Sequence, residues 1–190
     1  MADKKAILVL LGADEVADGG DAVKKFLKKA ATASNYTAGD VAAEAAKVDG
    51  VASVDIDGLA AVMENGTAFA CVDASGVADA EAVCANVLAA ADRRTLVAVV
   101  AGKAVYFSGL GVKRGAKPER EVFANDIVPT LCYVAELPVP DDATGAVIFQ
   151  AFKDVNMKLK EIGKLQDAIK RMEAALSRGS HDPWDKHDCA

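Results

Sequence analysis

The residue types that could do chemistry are few and unevenly placed. Both histidines, His181 and His187, fall in the last ten residues, so no imidazole lies between Met1 and Ser180. With Cys189 they form a set of ligand types that could gather one ion. Pro183 and the irregular spacing fit a flexible tail or partner docking better. Asp73-Ala74-Ser75-Gly76 invites comparison with a phosphate-binding turn, where glycine and free backbone N–H groups meet an anion at a helix start. With one glycine and no lysine, it reads as an ordinary strand-to-helix turn. Lys24, Lys25, Lys28 and Lys29 share one helix face; such a face could grip an anion but is more simply a solvated surface. The four cysteines, Cys71, Cys84, Cys132 and Cys189, show no paired spacing. Three sit in apolar runs, as buried thiols do, and a reducing cytoplasm is the expected compartment.

These residues are carried by a chain of 190 residues, 52% apolar, long enough for one medium domain and an appendage. A net charge of −6 argues against nucleic acid as the main partner. No apolar run approaches the length of a membrane span, and the six-residue run after Lys5 reads as a first strand rather than a signal peptide. Ala6–Leu11, Phe69–Val72 and Thr95–Ala101 are apolar stretches of strand length, expected at the centre of a sheet. Val54–Asp57 and Lys103–Ser108 add shorter strands. Between them, helices are expected at about 22–33 (with Asp21 as N-cap), 37–48 (opened by a capping-box relative at Thr37), 59–64 and 79–91. Another should start near Asn125 with Pro129 in its first turn. Strands alternating with helices define a three-layer α/β sandwich with a mostly parallel sheet.

Beyond Gly145 the pattern changes. Apolar residues recur at steps of three and four from Ile148 and Phe152 onward, and from Ile162 the steps settle into a 3-4-3-4 seam. Ile162, Leu165, Ile169, Met172 and Leu176 form the stripe of a long C-terminal helix, suited to a coiled-coil-like partner. Folding back on its own domain is the competing arrangement, and homo-oligomerisation through this helix is the preferred one. Gly163 is a weak point or a place of close approach. The expected organisation is an α/β domain over 1–150, the helix over 151–178 and a flexible tail over 179–190.

Three motifs between Asp92 and Phe152 carry a family resemblance. They are Asp92-Arg93-Arg94-Thr95-Leu96-Val97, then Gly109-Leu110-Gly111-Val112-Lys113-Arg114-Gly115. The third is Asp126-Ile127-Val128-Pro129-Thr130-Leu131 with Leu137-Pro138-Val139-Pro140 and Gly145. In order and spacing this stretch resembles the C-terminal part of the alkaline phosphatase superfamily, in its phosphodiesterase, sulfatase and phosphoglycerate mutase branches. The resemblance implies an α/β sandwich and, in active members, two divalent metals held by Asp and His around a nucleophile. Here Gly102-Lys103 stands where the family carries Asp-His after its strand. Asp14 is displaced from the place of the first metal-reaching aspartate, and Asp73 has no histidine after it. The expectation is a non-catalytic relative without cofactor that acts in interaction and assembly, with an unknown protein partner also possible. The alternative is a protein that binds, or acts on, a phosphorylated small molecule in the old cleft through Lys103, Lys113, Arg114 and Asp73.

Overall fold

The apolar runs Lys5–Leu11 (β1), Phe69–Ala74 (β5) and Thr95–Val100 (β6) form the middle of a six-stranded sheet, as expected. The computed structural model describes residues 4–16, 19–77, 79–153 and 157–179. The tail residues His181, His187 and Cys189 lie outside the described residues. β1 runs parallel to both neighbours, with Ile7 level with Ala70 and Val97. Ala52–Asp55 (β4) adds a parallel edge strand to β5. On the other side Val105–Gly109 (β7) pairs antiparallel with β6, and Ala31–Ala33 (β2) antiparallel with β7. A strand covered on both faces must be apolar at nearly every position, and all of β6 is buried.

Helices cover both faces, giving the three-layer α/β sandwich. On one face lie Asp21–Leu27 (α1), Leu59–Glu64 (α3) and Ala80–Ala90 (α4). Their Phe26, Met63, Val83 and Val87 share a core with Ile7, Val9, Val72 and Val97. On the other face Ala124–Ala135 (α5) packs on β1 and β6, and Val41–Ala45 (α2) packs on α5. A two-residue parallel pair, Tyr36–Thr37 (β3) with Val122–Phe123 (β8), leads into α5.

Several boundaries differ from the sequence expectation. The helix expected over 22–33 stops at Leu27, because Ala31 and Ala33 are drawn into the sheet as buried residues of β2. Asp21 is not its N-cap. Gly20 is, and the free N–H groups of Ala22 and Val23 donate to the two carboxylate oxygens of Glu81 at 2.7 and 2.9 Å. The second helix is only Val41–Ala45, capped by Asp40, whose Oδ1 accepts from Ala43 N at 2.9 Å. Thr37 belongs to β3 instead and donates its hydroxyl to Glu121. α5 starts one residue before the expected Asn125, so Pro129 is its sixth residue, in the second turn rather than the first. It has no N–H for the carbonyl of Asn125, and Gly145 packs against that carbonyl so closely that an added Cβ would lie 1.9 Å from the oxygen.

The start of α5 is fixed by one buried carboxylate. Asp126 accepts from Phe123 N at 3.0 Å and Arg120 Nη1 at 2.8 Å through one oxygen, and from Ala146 N at 2.7 Å through the other. One turn later the Thr130 hydroxyl donates to Asp126 O at 2.7 Å and accepts from Ile148 N at 3.0 Å. These bonds tie the segment returning after α5 to the helix itself.

The chain separates into two compact units, 1–153 and 154–190. Ile148 and Phe152, which continue the helical spacing in the sequence, are buried in the first unit, and the Phe152 ring lies 6.0 Å from that of Phe107. The second unit carries Met157–Gly179 (α6), on which Ile162, Leu165, Ile169, Met172 and Leu176 are all exposed. Among the described residues no helix is long and apolar enough to cross a membrane.

Replacing Asp126 with Ala strands two backbone N–H donors and the half-buried Arg120. Unfolding stability should fall by about 3 kcal/mol, read as a lower urea midpoint. Gly145→Ala should cost about 1–3 kcal/mol through overpacking. Wild-type midpoints for both variants would show that this joint carries no stability.

Candidate functional site

In a parallel sheet the carboxyl ends of the strands and the loops leaving them are where side chains can meet a ligand. Here the loops after β1, β5 and β6 converge. Gly12 lies so close to Ser75 that a Cβ would sit 2.0 Å from its carbonyl oxygen. The β6–β7 connection is stitched to the loop after β1 by Gly102 N donating to Ala13 O at 3.0 Å and Lys103 N donating to Asp14 O at 2.8 Å. That backbone pairing brings the Lys103 ammonium to 2.6 Å from Asp14 Oδ2. The hydrogen bond to Asp14, helped by its charge, raises the Lys103 pKa. Both side chains are exposed. Two residues 89 apart in sequence are therefore joined to each other.

Beside this pair, over the carboxyl halves of β1, β5 and β4, the sheet face is open in a shallow cleft of about 650 Å³. Ser53, Asp55, Cys71, Asp73 and Ser75 line it, with Ala42 of the short α2 at its rim. Asp55 and Asp73 are level on adjacent strands. Asp73 accepts from the Ser75 hydroxyl at 2.6 Å and from Ser75 N at 2.9 Å, which lowers its pKa. Asp55 accepts from Gly58 N at 2.8 Å. The turn at Asp73 thus closes on its own serine as a strand-to-helix turn, and Asp79 caps α4 by accepting from Glu81 N. Cys71 is nearly buried, and burial first, then the Asp73 charge, raises its pKa.

The four candidate ligand-binding residues do not form one site. Lys103 and Asp73 stand at the carboxyl end of the parallel strands. Lys113 and Arg114 follow β7, whose Gly109 is level with Leu96 at the amino end of β6, so they occupy the opposite end of the sheet. The Lys103 side of the sheet presents Asp55 and Asp73 rather than further cations. Asp55 and Ser53 escaped notice in the sequence, although their i, i+2 spacing in Ser53-Val54-Asp55 marks a polar strand face.

The residues present do not fit a pair of divalent metals. The position after β6 offers an ammonium, and the aspartate nearest the first-strand position is engaged by it. Among the described residues, no three His, Cys, Asp or Glu side chains are grouped to hold an ion. Compared with known protein families, curated proteins and solved structures, the chain matches none.

The thiols give a check on this geometry. Burial pushes Cys84 and Cys132 up to about 11, so at pH 7.5 their thiolate fraction is on the order of a hundredfold below that of free cysteine. Alkylation mapped residue by residue should be slower by at least that factor than in urea, and should quicken as pH rises. Cys71, at the cleft, should be the fastest of the three. Labelling of Cys132 at the free-thiol rate would contradict its place in the core.

Proposed function

We propose that the chain is a non-catalytic relative of the alkaline phosphatase superfamily whose role is assembly, made through self-association of α6. The observation that carries the assembly reading is the stripe on α6, whose five large apolar side chains are between 41 and 75% exposed at 3-4 spacing. Most of a helix's stability in a protein comes from packing an apolar face rather than from propensity, so this stripe gains from a partner. Burying a large aliphatic side chain is worth about 1.5–3 kcal/mol. Two such stripes can therefore offset an association cost of about 4–15 kcal/mol. Ile at the first heptad position with Leu or Met at the fourth favours two strands.

The ion pair of Lys103 with Asp14 supports the non-catalytic half of the reading. A metal site needs carboxylates, imidazoles or thiolates free to coordinate, and here the Lys103 ammonium engages the Asp14 carboxylate. Binding of a phosphorylated molecule in a cleft of Lys103, Lys113 and Arg114 is the weaker reading, because strand direction separates those residues and the cleft beside Lys103 is acidic.

In 0.5 M NaCl, where contacts between surface charges are screened, sedimentation of the full chain should show a dimer, and Leu165→Asp with Ile169→Asp should yield a folded monomer. A wild-type monomer at tens of micromolar would overturn the assembly reading. Among the described residues, nothing beyond its own helix backbone and chain neighbours lies within 4 Å of a Cβ built on Gly163, so Gly163→Ala should strengthen the helix by about 1 kcal/mol and tighten the dimer. Weaker association on that change would mean that Gly163 itself lies against the partner.

A further inference from the structure

The end of the sheet opposite the Lys103–Asp14 pair gathers cations from separate segments. Lys28 and Lys29 follow α1, Arg93 and Arg94 precede β6, and Lys113, Arg114 and Lys117 follow β7. Backbone hydrogen bonds hold these segments together. Gly115 N donates to Ala30 O at 2.8 Å, Thr32 N to Ala116 O at 2.9 Å, and Leu110 N to Thr95 O at 3.0 Å. Strand register confirms the shared location, since Thr95 is level with Lys5 and Leu96 with Gly109. Among the described residues, none of these seven cations takes part in a salt bridge. The far end is the reverse: Glu15, Asp55, Asp57, Asp73 and Asp79 are exposed there, while Lys103 is already held by Asp14.

We propose that the basic end is a docking surface for the acidic, strand-carboxyl end of a second copy, a head-to-tail contact independent of α6. One contact of this kind covers two unpaired surfaces of opposite sign carried by the same molecule. Complementary potentials steer such an encounter and fix its register. The acidic end of another copy supplies a local field of opposite sign, and binding of the basic end to a nucleic acid or an anionic membrane instead is an outcome of the test below. Because the two surfaces differ, the contact is heterologous and builds rings or open chains.

Carbodiimide coupling tests this, because it joins only a lysine and a carboxylate already in contact. The strands between the two ends are about 20 Å long, at roughly 3.3 Å per residue, so Lys113 and Lys117 cannot reach Asp55 or Asp73 within one copy. Full-length protein mixed from unlabelled and nitrogen-15-labelled chains at low salt should yield mixed-isotope peptides joining the 113–117 segment to Asp55, Asp57 or Asp73. Their yield should fall at least about tenfold in 0.5 M NaCl, where screening shortens the reach of surface charge to a few ångströms. Lys113→Glu with Arg114→Glu should abolish them, and so should Asp55→Lys with Asp73→Lys. Mixing the two variants should restore coupling between the reversed ends, which a variant that merely misfolds would not do. Cross-links between α6 helices appear as different peptides, so failure of the helix contact does not disturb this readout. Absence of end-to-end peptides, or a yield indifferent to salt and charge reversal, overturns the proposal. So does binding of the basic end to phosphatidylserine vesicles or single-stranded DNA without end-to-end coupling.

Discussion

A parallel sheet covered on both faces leaves almost no room for polar side chains between its ends. β1, β5 and β6 are filled by Ala, Val, Ile, Leu, Phe and Cys through most of their length, and polar groups collect at the two rims. Polar groups that enter the interior are mostly engaged, the buried Nε of Arg94 being an exception among the described residues. The Thr95 hydroxyl donates to Asp92 at 2.7 Å, and Thr130 and Asp126 bind the backbone of the returning segment. An unpaired buried polar group would cost about 1–3 kcal/mol, so these contacts follow from the burial itself. The same constraint sets where chemistry or recognition can occur. One rim holds Asp14, Lys103, Asp55 and Asp73; the other holds the basic turns.

The motifs that resemble the alkaline phosphatase superfamily serve here as joints. Asp92 turns the chain into β6 by accepting from Arg94 N and the Thr95 hydroxyl, which lowers its pKa. Gly109 takes a φ of 97° and lies where a Cβ would meet the Thr95 carbonyl at 2.2 Å, so only glycine fits that turn. Asp126, Thr130 and Gly145 lock α5 to the segment that follows it. Rim side chains are placed by backbone contacts of the same kind. Lys103 illustrates this most directly. Its backbone N–H binds the loop after β1, and its side chain then takes the nearest carboxylate.

Periodicity and composition made the sheet's centre legible, because runs of four to six consecutive apolar residues closed by glycine or aspartate leave few alternatives. Helix limits were less legible. Ala30, Ala31 and Ala33 suit a helix or a strand, and pairing with β7 decides between them. The cap of α1 comes from Glu81, some sixty residues away, and nothing near Asp21 announces it. The pooling of Lys103, Lys113 and Arg114 into one cleft overlooked direction. The connection from Val100 to Val105 is too short for a parallel crossover, so β7 had to turn back and carry Lys113 and Arg114 to the far rim. The open acidic cleft was hidden for a related reason. Asp55 and Asp73 meet only because β4 and β5 are neighbours in register.

The Lys103–Asp14 pair makes metal binding the most direct measurement. Calorimetric titration of Mn²⁺ and Zn²⁺ into full-length protein carrying His181→Ala, His187→Ala and Cys189→Ala removes the tail's ligand types and leaves the sheet rim alone. Together with hydrolysis assays on phosphate mono- and diesters, this protein should show no stoichiometric tight site and no turnover above buffer. Two tightly bound ions per chain with metal-dependent turnover would contradict the non-catalytic reading.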